Sequence, residues 1–140
     1  MIDRRAVVAE AFTSWADGTG TVSSMFDDRM TWEIVGHSAA SRRYGSAAEF
    51  IEEVLEPFAA RFDPEKPFRP VRIRTVVAED DQVVVLWDGE GGTIAGTTYR
   101  NTYAWFMTLD DRGRIIDGTA FYDSISFDEL WETVTPPHGE

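Results

Sequence analysis

Side chains alternate in character along two stretches that flank a turn at residues 110–113. Before the turn, every second residue shares one face of a strand and is aromatic, an amide or a methionine: Tyr99, Asn101, Tyr103, Trp105 and Met107. After the turn, one face of the second strand carries Gly118, Ala120 and Tyr122. Gly118 and Ala120 are small, so they leave volume unfilled beside the aromatic face. An aromatic face beside such a space predicts a small-molecule cavity. A core strand whose Tyr hydroxyls bond to backbone would show the same alternation, so both interpretations stay open.

Helical periodicity dominates the first part of the chain. Asp3 is suited to cap a helix that runs to about Ala16 and ends at Gly18. A second, short helix is predicted at residues 21–26, and an extended run follows at residues 30–35. These elements place an amphipathic helix before the first strand.

The clearest helix begins at a capping box, in which Ser46 accepts from a first-turn amide and Glu49 reaches back. Its broad apolar stripe predicts packing against a core. Pro57 removes a backbone donor and should bend or interrupt the helix near its end. Residues 63–70 then form a connector.

The rest of the chain predicts four strands, over residues 71–79, 82–90, 98–109 and 114–124, and then a marginal helix or coil over residues 126–134. Residues 83–87 are apolar on both faces of their strand. Helices can cover only one of these faces, so the other predicts contact with a second subunit.

Helices followed by a run of antiparallel strands are typical of the α+β class. At this length we expect one domain over residues 1–135 and a flexible tail over residues 136–140. The sheet is expected to be curved, mostly antiparallel and wrapped around the N-terminal helices.

Composition removes several function classes. The net charge is −12, with 25 acidic against 13 basic residues, which argues against nucleic acid and anionic membranes as partners. There is no Cys and there are only two His, so we expect no metal and no thiolate nucleophile. The first residues lack a signal-peptide pattern, and no run approaches the roughly 20 apolar residues of a membrane span, so we expect a cytoplasmic protein.

Four short segments carry a family resemblance through their order and spacing: 26–28 (Phe-Asp-Asp), 32–36 (Trp-Glu-Ile-Val-Gly), 45–48 (Gly-Ser-Ala-Ala) and 110–115 (Asp-Asp-Arg-Gly-Arg-Ile). With them, the chain as far as about Phe127 resembles the SnoaL-like, ketosteroid-isomerase-related group of the nuclear-transport-factor-2-like superfamily. The resemblance implies a cone-shaped α+β fold, also described as cystatin-like, with an apolar pocket. It also implies a homodimer through the outer face of the sheet.

The resemblance also assigns residues. Ungapped alignment of the local matches puts the isomerase family's general base at Glu33, its oxyanion-hole aspartic acid at Trp105 and a pocket aromatic at Tyr122. The family's catalytic tyrosine falls near Ala11 or Phe12, and neither can donate a hydrogen bond. The two-donor oxyanion hole is therefore not reproduced, and steroid isomerisation is not expected.

Two arguments disagree about Glu33. Alternation with Met30, Trp32 and Ile34 sends its side chain to the outer face, whereas the resemblance sends it into the pocket. His37, in the loop that follows, is either a pocket acid–base group or an exposed loop residue.

Three functions remain open, and none of them requires a cofactor. The first is proton transfer of the isomerase, cyclase or lyase type on a small apolar carbonyl or polyketide-like compound. Its catalytic residues would be Glu33 as base with Asn101 and Tyr103 as carbonyl donors. The second is non-catalytic binding of an apolar aromatic ligand, and the third is an epoxide-hydrolase-like activity. The expected ligand contacts are Trp15, Trp32, His37, Phe58, Trp87, Tyr99, Trp105, Gly118, Ala120 and Tyr122.

Overall fold

One curved six-stranded sheet organises the computed structural model, which describes residues 2–137. Its strands are β1 (Phe26–Ile34), β2 (Arg43–Tyr44), β3 (Arg69–Glu79), β4 (Gln82–Gly92), β5 (Thr98–Leu109) and β6 (Ile115–Tyr122). Their spatial order is β2-β1-β6-β5-β4-β3, and every neighbouring pair is antiparallel except β1 with β6. The predicted α+β class with a mostly antiparallel sheet is confirmed.

Helix α1 (Arg4–Asp17) forms where the sequence predicts it. The Asp3 side chain caps its first turn by accepting from the backbone N–H of Ala6, and Gly18 ends it at a φ of 79°. Val8 and Phe12, one turn apart, are fully buried against the sheet. The predicted second helix is a single 3-10 turn, Val22–Met25.

The second long helix contains a wide turn. It begins as α2 (Ala47–Phe50), widens into a π-helical segment, Ile51–Leu55, and continues as α3 (Glu56–Ala59). Pro57 explains the widening, because in a regular α-helix its ring would press on the carbonyl four residues earlier. The sequence predicted a bend or an interruption at this residue; the helix instead widens before Pro57 and continues past it. At its start, Ser46 caps the Glu49 N–H, and Glu49 accepts from the N–H of Gly45.

Aromatic rings fill the space between the sheet and the helices. Trp105 on β5 lies at their centre, with ring centroids 5.7 Å from Phe12 and 6.1 Å from Trp15, both on α1. It also lies 4.9 Å from Trp32 on β1 and 5.3 Å from Trp87 on β4. One side chain therefore joins the first helix to three strands.

The C-terminal segment is a regular helix, α4 (Ser124–Thr133), and not the marginal helix or coil expected from its sequence. The Asp123 side chain caps its first turn, and Phe127 and Leu130 are buried. The buried Arg61 donates to the carbonyls of Trp131 and Val134 and fixes the last turn. Of the predicted flexible tail, residues 138–140 lie outside the described part of the chain.

The outer face of the sheet carries exposed apolar side chains. Phe106 and Phe121 are 43% and 48% exposed, and their ring centroids lie 5.8 Å apart. Val84 and Leu86 of β4, beside them in register, are half-buried on the same face. Such a patch at the centre of a sheet is typical of a protein–protein contact.

We expect this face to form a homodimer interface, and Phe106→Asp to weaken the dimer at least about tenfold, because a carboxylate would be buried without a partner. Sedimentation equilibrium at micromolar concentration measures the effect. Ile125→Asp is the matched control, since Ile125 is 80% exposed on α4, away from the sheet. A monomeric wild-type protein would contradict the expectation.

Candidate functional site

A cavity of about 780 Å³ lies between the inner face of the sheet, α1 and the α2–α3 helix. Its interior walls are almost entirely apolar side chains. Exposed residues at its rim come from the loop after α1 (Gly18, Thr21), from the end of α3 and the connector after it (Ala59, Pro64), and from Pro137 beyond α4. The volume is within the range of pockets for drug-sized ligands, roughly 300–1,000 Å³.

Most of the residues proposed from the sequence lie around this cavity. Those that line it are Trp15, Trp32, Phe58, Trp87, Tyr103, Trp105, Ala120 and Tyr122. They come together because inward positions of β1, β4, β5 and β6 meet in register, with Trp105 opposite Ala120 and Tyr103 opposite Tyr122. Their part in ligand binding stays a prediction.

Asn101 and Tyr99 support the cavity from behind its lining. The Asn101 amide donates to the Tyr99 hydroxyl at 2.8 Å and to the Asp123 carbonyl at 3.0 Å. The Tyr99 hydroxyl in turn lies 2.8 Å from that of Tyr103, which lines the cavity. Either hydroxyl can donate in this pair, since a phenol oxygen that accepts from Asn101 can still accept a second hydrogen bond. When Tyr99 is the donor, the Tyr103 proton is available to a ligand. Asn101 holds the pair in place as a positioning residue.

Burial keeps these phenols protonated. It raises the pKa of Tyr99 to about 12 and that of Tyr103 well above its ordinary value. It likewise raises the pKa of Tyr122, whose hydroxyl lies 2.8 Å from that of Ser38. At neutral pH the cavity therefore presents hydroxyl donors and no phenolate base.

Two buried indoles carry donors without a partner. The Nε1–H groups of Trp32 and Trp87 are shielded from water and have no acceptor within residues 2–137. Both residues are fully buried, so an acceptor would reach these groups only after the rings moved, and each unpaired donor costs about 1–3 kcal/mol. Both rings line the cavity.

Glu33 lies outside the cavity. Its side chain is 42% exposed on the outer side of β1, and its carboxylate is 3.7 Å from the Arg43 guanidinium. Met30, Trp32 and Ile34 are buried on the opposite face. The alternation argument is right, and the inward placement implied by the resemblance is wrong, because β1 is regular at this position. Glu33 is therefore not positioned to act as a base within the pocket.

Two other candidates also lie apart from the cavity. His37 is exposed in the loop after β1. Gly118 is buried beneath Trp32, and a Cβ added there would lie 2.2 Å from the indole Cζ3. Because Gly118 has no side chain, the Trp32 ring packs directly on it, and no space is left there for a ligand.

Asp88, Arg100 and Asp117, which could supply the Asp and Arg side chains of an epoxide-hydrolase-like site, lie outside the cavity. Asp88 pairs with Arg74, and Arg100 with Glu90, on the outer face of the sheet. Asp117 accepts from the Thr31 hydroxyl. Within residues 2–137, His, Asp and Glu side chains form no cluster that could hold a metal ion. No helix there is long and apolar enough to cross a membrane.

Sequence reasoning missed the connector between α3 and β3. Asp63, Phe68 and Arg69 all line the cavity. Phe68 fits there because β4 carries Gly89 on its inner face, where a Cβ would lie 2.2 Å from the Phe68 ring. A glycine that interrupts an apolar strand face was the available signal, since it marks a close approach by another part of the chain.

Comparisons with known proteins agree with this geometry. The sequence model of the SnoaL-like domain matches residues 6–118. No curated protein matches the chain. An NTF2-like protein from Burkholderia thailandensis superposes with a TM-score of 0.71 at 16% identity, covering 94% of this chain and 99% of its own.

Two further structures show the same fold. A Xanthomonas campestris protein of unknown function with a cystatin-like fold has a TM-score of 0.73 at 17% identity, covering 93% of this chain and 98% of its own. TerC, co-crystallised with polyporic acid, has a TM-score of 0.68 at 19% identity, covering 94% and 100%. Because the family match extends over most of the sequence and the fold agrees, the chain belongs to the SnoaL-like domain family, with an NTF2-like fold.

Proposed function

We propose that this protein binds a flat, largely aromatic small molecule that carries one or more carbonyl groups. The observation that carries the proposal is a cavity of about 780 Å³ whose interior walls are mostly aromatic rings and to which Tyr103 also contributes. The Tyr103 hydroxyl stays protonated. Aromatic walls favour stacking with a planar ligand, and a protonated hydroxyl favours an oxygen acceptor on it.

A structural relative supports a small-molecule role for the fold. TerC was crystallised with polyporic acid, and its chain superposes on this one over its whole length. At 19% identity the likeness concerns the fold, so the ligand proposed for the present chain rests on its own side chains.

Fluorenone and fluorene test the proposal, because the two molecules differ only in a carbonyl group. We expect fluorenone to bind at least about tenfold more tightly, since its carbonyl can accept from the Tyr103 hydroxyl. Isothermal titration calorimetry, with quenching of Trp emission, measures both affinities. Equal affinities would contradict the role of the donors.

Ala120→Leu tests the place of binding. The larger side chain projects into the cavity beside Trp105 and should reduce the affinity for both compounds at least about tenfold. Ala39→Leu, at an exposed loop position, adds the same volume outside the cavity and should leave binding unchanged. Binding that survives in the Ala120 variant, with its melting temperature intact, would place the ligand elsewhere.

The protonated state of the phenols is itself testable. The pKa of each of the four tyrosines, Tyr44, Tyr99, Tyr103 and Tyr122, is raised by burial. Ultraviolet titration of the folded protein should therefore show little tyrosinate at pH of about 10, where the urea-unfolded chain is half-ionised. Because the raised pKa values belong to the folded state, stability is complete below about pH 10 and falls as the pH rises further. A phenol that ionised below this range would contradict the donor role.

A second candidate function, proton transfer on the bound carbonyl compound, is favoured by Asp63. Its half-buried carboxylate lines the same cavity as Tyr103 and accepts from the Glu65 N–H at 2.9 Å. A carboxylate base and a phenol that polarises the carbonyl are the groups that enolisation requires.

Exchange of the α-protons of β-tetralone in deuterium oxide, followed by NMR, tests this activity. Asp63→Asn should slow protein-dependent exchange by about a hundredfold, as expected for loss of a general base. Glu65→Gln, at an exposed position of the same loop, is the control. Absence of exchange in the wild-type protein would leave binding without catalysis.

A further inference from the structure

Arg69 brings a positive charge to the edge of an otherwise apolar cavity. It is the first residue of β3 and lines the cavity together with the rim residue Gly18. The two are in close contact, because a Cβ added at Gly18 would lie 2.5 Å from the Arg69 Nη1 atom. The guanidinium is therefore at the mouth and not in bulk solvent; the residue as a whole is half-buried.

This guanidinium has no protein partner within residues 2–137. It forms neither a hydrogen bond nor an ion pair there, although Arg4, Arg42, Arg74 and Arg100 each pair with an acidic side chain. Asp63 lines the same cavity without pairing with it. Arg29, Arg72 and Arg112 also lack a partner there, but they are exposed, whereas Arg69 is half-buried and is the one arginine that lines the cavity within residues 2–137.

The end of α1 helps to hold the side chain in place. Gly18 is the C-cap of α1, where the helix dipole presents partial negative charge to a nearby cation. This attraction fixes the guanidinium without neutralising it, since the backbone carries no net charge. The N–H donors of the Arg69 guanidinium lie in one plane, an arrangement that suits two parallel hydrogen bonds to a carboxylate or a similar anion.

We propose that Arg69 binds an anionic group on the ligand, so that the ligand class is an aromatic acid: its rings in the cavity and its carboxylate, or an equivalent anion, at the mouth. This assignment rests on the proposed small-molecule function and adds to it the charge and the orientation of the ligand. The acidic end faces the rim, and the carbonyl-bearing rings face Tyr103.

Two dyes of nearly the same shape test the proposal. Anilinonaphthalene sulfonate carries an anion that its neutral analogue, phenylnaphthylamine, lacks. Arg69→Gln should weaken binding of the sulfonate at least about tenfold and change binding of the neutral dye less than about twofold. Arg69→Lys should bind the sulfonate more tightly than Arg69→Gln but less tightly than the wild-type protein, because lysine keeps the charge without the planar pair of N–H donors.

Arg72→Gln is the matched control, because Arg72 is an exposed arginine of the same strand and its loss changes the net charge equally. Equal weakening of both dyes by Arg69→Gln would show a purely structural role, and unchanged sulfonate binding would show that the charge is not used. Either result overturns the assignment while leaving the cavity's function standing. If the wild-type protein bound neither dye, the proposed function would fail, and the assignment with it.

Discussion

The contact of Trp105 with four other aromatic rings is the interaction on which the rest of the structure depends. Phe12 and Trp15 bring α1 to it, Trp32 brings β1, and Trp87 brings β4. Opposite Trp105, β6 carries only the small side chain of Ala120, and both residues line the cavity. The cavity is thus a result of how the core packs. A change that loosened Trp105 would alter helix position, sheet curvature and pocket shape together.

The polar groups of the interior are of two kinds: those that pair with other protein groups and those that have no protein partner. Asn101 is fully paired, with its amide on Tyr99 and the Asp123 carbonyl and its oxygen accepting from the N–H groups of Thr102 and Asp123. It therefore contributes rigidity and orients Tyr99 and, through it, Tyr103. The buried side-chain groups that have no partner within residues 2–137 are the indole N–H donors of Trp32 and Trp87. The charged residues that line the cavity are Asp63, in the connector after α3, and Arg69, at the start of β3. The proposed ligand would be recognised by its oxygen atoms and by the charge at one end.

Local periodicity was enough to predict most of the fold, and eight of the residues proposed from the sequence line the cavity. The period of two along β5 gave the correct inward face, and the capping signals at Asp3 and Ser46 gave the correct helix starts. Glu33 shows which kind of argument is stronger. The alternation of buried and exposed side chains along β1 placed it correctly on the outer face, whereas the ungapped alignment with the isomerase family placed it wrongly in the pocket. The contribution of residues 63–69 was not predicted, because it depends on where a proline-rich connector crosses the sheet. That crossing is a tertiary contact made possible by Gly89 on the neighbouring strand β4, and this glycine was its one signal in the sequence.

The wide turn at Ile51–Leu55 has a consequence for how this cavity can change during evolution. A π-helical turn holds one residue more than an α-helical turn, so it takes up an extra residue locally and the helix after it keeps its facing. Phe50 before the wide turn and Phe58 after it therefore both face the cavity. A helix built in this way can gain or lose one residue at the wide turn without turning Phe58 away from the cavity. Helix length and the side chains of the pocket wall can thus change independently of each other at this point.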